Sequence, residues 1–363
     1  MHGQQKLLSE GYRTRDGHLI EWFGRLTSEH GSVAVCSRPE PHYLRPLTAR
    51  SEKFSPAFNT TSYDSYSWRI PRPWDRRKWW IQSRRSYNVV ETPESTPAII
   101  WNPLVAMSNA ADRLFNGDRR IVVDLLDDWS IHYAFSSIKD QLEVAYARLF
   151  GVADVVTANS EGTASLARRF GRNDVKLITN GCDPDRFSDQ SLASGPITVG
   201  YVGKIGNRVD LDLVLAVAAA LPEVDFVFAG PILDEQYRRP LQRVPNIKLL
   251  GDIHYTDVPV LLQSFDIGWV PHRVGEFEVG GDVIKTYEYR ASGLPVLTTP
   301  IAGAGTRGLS FVHVIEASSQ AAWISKFTAG QERVTRLPEN FPLEHTWKGK
   351  AEELLEALKV EAC

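Results

Sequence analysis

Two consecutive cycles of short β-rich segments alternating with longer helical segments constrain this chain more than any other feature it carries. In the first cycle Ser32–Ser37, Ala98–Trp101, Arg120–Leu126, Asp154–Ala158 and Lys176–Ile178 read as strands. Leu19–Glu29, Leu104–Phe115, Ile138–Phe150 and Glu161–Phe170 carry helical spacing, with Leu19, Trp22, Phe23 and Leu26 on one face of the first. Lys6–Ser9 reads as a further, weak strand. Ser191–Pro196, small and polar with Gly and Pro, breaks the pattern as a linker. The second cycle then alternates strands at Ile197–Val202, Asp225–Ala229, Ile247–Leu249, Ile267–Val270 and Pro295–Thr298 with helices at Leu211–Leu221, Val258–Ser264 and Thr286–Ala291. Thr346–Leu358 closes the chain as an amphipathic helix. Strands that are near-continuous apolar runs, separated by helices, build parallel sheets covered on both faces. The expected fold is therefore α/β, with two Rossmann-like halves and a ligand cleft at the carboxyl ends of the strands.

Composition narrows the class. The chain has 363 residues, enough for two ordinary domains, and is 43% apolar and 23% charged, a globular balance. A net charge of −3 excludes a generic polyanion-coating protein but not a local basic patch. Cys36, Cys182 and Cys363 lie far apart without metal-type spacing and read as reduced thiols. Met1–Glu10 has no apolar h-region, and the longest apolar run, Leu213–Leu221, is about half the length of a bilayer span. A cytoplasmic protein is expected, at most peripheral on a membrane.

Three segments carry the chemistry: Val155–Phe187 (VVTANSEGTASLARRFGRNDVKLITNGCDPDRF), Ile197–Arg208 (ITVGYVGKIGNR) and Gly281–Thr298 (GDVIKTYEYRASGLPVLT). In the third, Gly280-Gly281 precedes a helix whose free N–H groups and positive dipole end suit a phosphate. Asp282 or a neighbour as the cap of that helix is the alternative. Glu288 is a carboxylate able to accept from two vicinal hydroxyls. Gly203 and Lys204 follow the first strand of the second cycle, with Arg208 close behind, and Lys285 stands one turn before Glu288. Such cations form charge-assisted bonds to a phosphate.

The three segments together resemble retaining GT-B glycosyltransferases of the GT4 type, the glycosyl transferases group 1. The likeness covers about residues 120–360 well and 1–50 loosely. In that family a strand, N-S, helix, strand and N-G-x-D-x-x-x-F end the acceptor domain, V-G-x-I opens the donor domain, and K-x-x-E-Y-x-A-S-G-x-P-V is the nucleotide-binding helix and strand. The resemblance implies that Glu288 takes the ribose hydroxyls and that Lys204, Arg208 and Lys285 grip a pyrophosphate. Two departures stand out. The family usually carries Arg and then Lys where this chain has Lys204 and, near the second place, Arg208. The family's Glu eight positions before the ribose carboxylate is here Gly280, leaving Glu276, Glu278, Asp282 or main-chain N–H groups for the donor sugar.

In the first half, Asp128 and His132 follow a buried strand at its carboxyl end and are the candidate catalytic residues; the resemblance implies that His132 lies near the donor's sugar and phosphate and donates to either, and a core or surface histidine is the alternative. Asp16-Gly17-His18, read as a loop after the first strand, resembles the Gly-containing loop that closes on phosphates and acceptor; Gly17 as a plain turn residue is the alternative. Asn180-Gly181 reads as a structural turn with positive φ. Residues 51–95 carry no clear period and read as a long excursion or a misread element. Within them Ser67–Arg85 interleaves four tryptophans with basic residues, among them Trp79 and Arg77, which suits an acceptor on a membrane surface or a nucleic acid. A loop with buried tryptophans and solvated arginines is the structural alternative.

The expected organisation is an acceptor-binding domain over 1–190 with the irregular insertion 51–95, a nucleotide-sugar domain over 196–345, and a terminal helix, 346–363, returning to the first domain. The expected function is glycosyl transfer, with retention, from a nucleotide-diphosphate sugar to a glycan, lipid-linked or polymer hydroxyl, without metal or other cofactor. A nucleic-acid-modifying transferase and a non-catalytic nucleotide-sugar binding module on a GT-B scaffold are the alternatives.

Overall fold

The fold is seen in a computed structural model, which describes residues 3–44, 56–72, 74–88, 90–275 and 280–362. Among these residues every sheet is parallel, and the chain divides into two compact units. The first unit holds the chain up to Thr179, the terminal segment from Trp347, and residues 280–282; the second holds the remainder from Asn180 to Thr346.

The first unit opens with helices α1 (Gln4–Glu10) and α2 (Arg15–Leu26), strands β1 (Val33–Pro41) and β2 (Thr60–Ser67), and helix α3 (Arg76–Gln82). Strand β3 (Ala98–Ile100), helix α4 (Ala111–Phe115), β4 (Ile121–Leu125), α5 (Lys139–Val152), β5 (Val155–Ala158), α6 (Glu161–Arg169) and β6 (Lys176–Leu177) follow. β1 and β2 pair with each other, and β3-β4-β5-β6 form a four-stranded sheet in chain order. Every residue of β4 is buried, as a central parallel strand requires. α6 begins where the Asn-Ser pair of the sequence motif caps it. The Ser160 hydroxyl accepts from the Thr163 N–H and the Thr163 hydroxyl accepts from the Ser160 N–H, both at 3.1 Å.

The second unit comprises β7 (Thr198–Val202), α7 (Leu211–Ala220), β8 (Asp225–Ala229), α8 (Arg238–Gln242), β9 (Ile247–Gly251), α9 (Val258–Gln263) and β10 (Ile267–Val270). α10 (Ile284–Ala291), β11 (Val296–Thr298), β12 (Val312–Val314) and α11 (Gln320–Thr328) complete it. Its six strands run in the order β12-β11-β10-β7-β8-β9. One face packs Val199, Tyr201, Phe226, Phe228 and Trp269 under α7 and α11; the other packs Val270, Tyr289, Leu294 and Val296 with Leu262 and Phe265. The terminal helix α12 (Trp347–Leu358) belongs to the first unit, where it lies on α2 and β4. Its buried Trp347 stacks on His18 of α2, centroids 4.8 Å apart, and its Ala357 carbonyl accepts from Arg120 Nε at 2.6 Å. No helix among the described residues is long and apolar enough to cross a membrane.

Three local expectations are corrected. Lys6–Ser9 is helical rather than a strand, because Gly11 in the left-handed region ends a helical turn by donating to the Leu7 and Leu8 carbonyls. Leu104–Phe115 is not one helix. Ser108 accepts from the Ala110 N–H at 3.2 Å and ends the first turn there, and a separate short helix resumes at Ala111. Among the described residues of 51–95 lie a regular strand and helix, β2 and α3, as the misread-element reading allows, and β2 pairs with β1. Neither Asn180 nor Gly181 has positive φ; Gly181 is needed because a Cβ there would lie 2.7 Å from the His345 carbonyl oxygen.

One buried ion pair ties the first unit together. Arg15, 3% exposed, meets Asp124 of β4, fully buried, through Nε at 2.9 Å and a second nitrogen at 3.0 Å. The same carboxylate accepts from Trp101 Nε1 at 2.8 Å and from the Thr157 hydroxyl at 2.7 Å. Arg15 also donates to the Thr179 carbonyl at 2.9 Å. Removing one partner of so well matched a pair strands the other charge, at a cost of about 3–5 kcal/mol. Asp124→Ala is expected to lower unfolding free energy by that amount, measured by urea titration. Thr157→Val, which deletes one of several donors, is expected to cost about 1 kcal/mol. Equal midpoints for Asp124→Ala and wild type would show that the pair does not hold the unit.

Candidate functional site

Strand β7 ends at Val202, and its exit is built for close approach. Gly203 has φ 151°, and a Cβ there would meet Lys285 Cε at 3.0 Å and the Tyr201 hydroxyl at 3.1 Å. The Gly203 N–H donates to Ala229 of the neighbouring strand at 2.8 Å, holding this turn to the sheet edge. Lys285, one residue into α10, runs beneath it with its ammonium 5.1 Å from the Tyr201 ring centroid. The Tyr201 hydroxyl donates to the Lys204 carbonyl at 2.9 Å, which fixes the loop carrying Lys204. Exposed Lys204, half-buried Arg208 and Lys285 thus share one region at the carboxyl end of the strands. Desolvation first, and the charges of Arg208 and Lys204 after it, push Lys285 down to about 8 from its ordinary 10.5.

Glu288 lies one turn further along α10 and is buried. Burial pushes its carboxyl up to about 7 from an ordinary 4.5, while a hydrogen bond from Tyr255 and the charges of Lys285 and Arg186 oppose the rise. Asp183, ion-paired with Arg186 at 2.9 Å, adds a further upward push. Val283 stands at the N-cap of α10 and makes no side-chain cap bond.

Tyr201, Tyr255, Arg186 and His272 were not singled out as site residues in the sequence. His272 is fully buried, and desolvation with the charges of Lys285 and Arg208 pushes it well below its ordinary value, so it is a neutral ring at the edge of the basic cluster. Its Nε2 lies 3.5 Å from the Tyr201 hydroxyl, and its carbonyl accepts from the Thr299 hydroxyl at 2.6 Å. The available signal was its position two residues past the carboxyl end of β10.

The remaining candidates lie in the first unit. Gly280 and Gly281 group with this unit rather than with the helix they precede. Gly280 has φ 82°, and a Cβ there would press on the Gly162 backbone at 3.2 Å; its carbonyl accepts from the Ser160 hydroxyl. A Cβ at Gly281 would collide with an Asp127 carboxylate oxygen. A side chain at position 280, where the resembling family carries Glu, is therefore strained by the positive φ and by the Gly162 backbone. Glu276 and Glu278 lie outside the described residues.

Asp128 is buried with its carboxylate engaged by Arg169 at 2.6 Å and by the Ser130 N–H at 2.9 Å. It shapes the loop that presents His132. His132 Nδ1 accepts from the Ala134 N–H at 3.1 Å, so the neutral ring carries its proton on Nε2.

Asp16, Gly17 and His18 do not form a loop after a strand. They lie in the first turns of α2, all buried, and a Cβ on Gly17 would lie 2.6 Å from the Tyr12 carbonyl oxygen. The local pattern resembled a turn because Gly17 and its polar neighbours are turn formers, but packing of α2 against Tyr12 and Trp347 decides the conformation. Trp79 is likewise an interior side chain, 3% exposed, with Nε1 donating to the Arg69 carbonyl at 2.6 Å. Arg77 lies over the Trp80 and Phe135 rings at 4.4 and 4.6 Å and donates to the Ala134 carbonyl at 3.3 Å.

Residues 196–327 match the family model of glycosyl transferases group 1. The putative teichuronic acid biosynthesis glycosyltransferase TuaH of Bacillus subtilis (strain 168) is 25% identical over 186 residues. That match spans 47% of this chain and 47% of the relative, so the chain spans about half the length of the curated relative it matches. HepE of Anabaena, solved in complex with UDP and glucose, is 15% identical with a TM-score of 0.59, covering 95% of this chain and 94% of that one. Sucrose-phosphate synthase from Thermosynechococcus elongatus is 15% identical with a TM-score of 0.60, covering 95% and 87%. These structures share the GT-B fold, two Rossmann-like α/β domains and a terminal helix.

The two shifted groups of α10 set a pH signature. Folded Glu288 holds its proton more tightly than the unfolded chain does. Its contribution to stability is therefore present below pH 4.5 and is lost as pH rises to about 7. Folded Lys285 gives up its proton more readily, so stability returns as pH rises from about 8 toward 10.5. In denaturant titrations across pH, Glu288→Gln should gain stability relative to wild type as pH rises from 4.5 to 7. Lys285→Met should lose its relative advantage between 8 and 10.5. Difference profiles flat across both windows would show that neither group is desolvated.

Proposed function

From a chain of GT-B fold related to the group 1 glycosyltransferases, we propose an enzyme that transfers a sugar from a nucleotide-diphosphate sugar to a hydroxyl of a glycan or lipid-linked acceptor. The observation that carries this reading is the arrangement around α10. Lys285 and Glu288 are one turn apart, one among cations and one buried beneath Tyr255, at the carboxyl end of the sheet. A diphosphate matches the positive charge gathered at Lys204, Arg208 and Lys285, and two ribose hydroxyls suit a buried carboxylate as donors. A bound anion also favours the protonated form of Lys285. The N-terminus of α10 adds a favourable dipole to the same cluster.

The leaving diphosphate and the acceptor exchange partners at the anomeric carbon. The bond from that carbon to the β-phosphate oxygen breaks as the acceptor oxygen forms its bond on the same face, and the acceptor proton passes to the departing phosphate oxygen. No carboxylate nucleophile is needed. Catalysis then rests on positioning and on neutralising the leaving group, the task for which the Lys204–Arg208–Lys285 cluster is suited. In the first unit His132, with a proton on Nε2, is the donor best suited to the sugar or phosphate, and Asp128 supports its loop. A side chain at position 280 is strained, so main-chain N–H groups are the simplest contacts for the sugar at that position. Uridine is the first base to test, since HepE was solved with UDP and glucose. A nucleic-acid acceptor and a purely binding role are the competing readings, and release of free nucleoside diphosphate in the presence of acceptor separates the transferase from the binder.

Glu288→Ala should weaken nucleoside diphosphate binding by about 1–3 kcal/mol, the loss of a charged acceptor for two hydroxyls. Calorimetry with UDP, GDP, ADP, CDP and TDP identifies the base in wild type and reads the loss in the variant. An affinity unchanged by the substitution, for the base that binds best, would remove Glu288 from the site.

A further inference from the structure

The tryptophan- and arginine-rich stretch of the first unit has two structural fates. Its later part is built into the fold through Trp79, Arg77 and Trp80, the last also covered by the Arg38 guanidinium at 3.9 Å. Its earlier part is not. Trp68 is 81% exposed, Ile70 77% and Trp74 80%, with exposed Arg69 and Arg72 between them. Three large apolar side chains within seven residues, spaced by two cations, make an amphipathic tip.

The tip is held from below. The β1–β2 register pairs Pro41 with Ser67, so His42 and Trp68 are the next residues past the ladder, and their rings stack with centroids 3.5 Å apart. The Arg69 N–H donates to the Ser67 hydroxyl at 3.3 Å and the Arg69 carbonyl accepts from buried Trp79. At the far end the Asp75 N–H donates to the Arg72 carbonyl at 3.2 Å, and the Asp75 carboxylate caps α3 by accepting from the Lys78 N–H at 3.0 Å. These bonds hold the described backbone at Arg69 and Arg72, and the Trp68, Ile70 and Trp74 side chains are exposed. Tyr43, 56% exposed, follows His42.

We propose that Trp68, Ile70 and Trp74, with Arg69 and Arg72, form a docking tip that seats the first unit on an anionic lipid surface. Indole rings settle at the headgroup level, an isoleucine enters the acyl boundary, and arginines extend to lipid phosphates while their stems lie against apolar surface. The negative surface potential of an anionic leaflet complements the two arginines. A nucleic acid is the poorer match, because Ile70 offers no π-face for a base to stack on. The inference stands apart from the donor chemistry of the second unit, so either is able to fail alone.

The test is sedimentation of the full chain with phosphatidylcholine vesicles and with vesicles that also contain phosphatidylglycerol. Wild type is expected in the pellet with the anionic vesicles and in the supernatant with the neutral ones. Trp68→Ser/Trp74→Ser is expected to lose binding on the order of tenfold or more, and Arg69→Gln/Arg72→Gln to weaken it on anionic vesicles. Both variants should keep the wild-type unfolding midpoint and nucleoside diphosphate affinity, which shows that the fold and the second unit are intact. Wild type left in the supernatant with anionic vesicles overturns the proposal. So does a tryptophan double variant that pellets like wild type, or retention of the chain by single-stranded nucleic acid in place of vesicles.

Discussion

A parallel strand buried on both faces must be covered by helices on both faces, and that constraint shapes everything else in this molecule. It forces each strand to be followed by a crossover and leaves all the carboxyl ends of a sheet on one edge. The residues that leave that edge are free of the ladder and available for chemistry. Gly203 and Lys204 leave β7 there, and Pro271-His272 leave β10. α10 returns toward the same region with Lys285 and Glu288 on successive turns, and the Tyr289 hydroxyl of that helix accepts from the Val202 N–H at 2.8 Å, locking helix to strand end. The site is thus a by-product of sheet geometry, refined by a few side chains.

Two buried carboxylates show how partner count separates support from chemistry. Asp124 is fully buried and receives Arg15, Trp101 and Thr157, so its charge is neutralised and hydrogen-bonded from several sides. Glu288 is nearly as buried, yet burial outweighs its partners and its carboxyl rises to about 7. The first is a support within the sheet. The second sits one turn from a lysine that desolvation pushes down, so the two groups of α10 are shifted in opposite directions by the same burial.

The tryptophan-rich stretch shows the same sequence chemistry used in two ways. Trp79 closes the interior and Trp74, five residues earlier, stands in solvent. Composition alone does not distinguish them, because an indole suits both a core and an interface. What divides them is the start of α3, which turns Trp79 inward, and the end of the β1–β2 ladder, beyond which no strand is left to cover Trp68.

The sequence by itself determined the α/β class, the two cycles, most strands of the sheets and the residue types gathered at α10. These follow from hydrophobic period and from local turn and cap chemistry, which act over a few residues. It also carried the resemblance that marks Lys204, Arg208, Lys285 and Glu288 as a set. Tertiary structure alone decided that Asp16, Gly17 and His18 belong to a buried helix, that Trp79 is interior and that a side chain at position 280 is strained. It also brought His272, Tyr201, Tyr255 and Arg186 to the cluster. Each of these depends on contacts between segments far apart in the chain: α2 against Trp347, Gly280 against Gly162, Glu288 against Tyr255. Burial and its electrostatic consequences are properties of what surrounds a residue, and no local pattern encodes its neighbours.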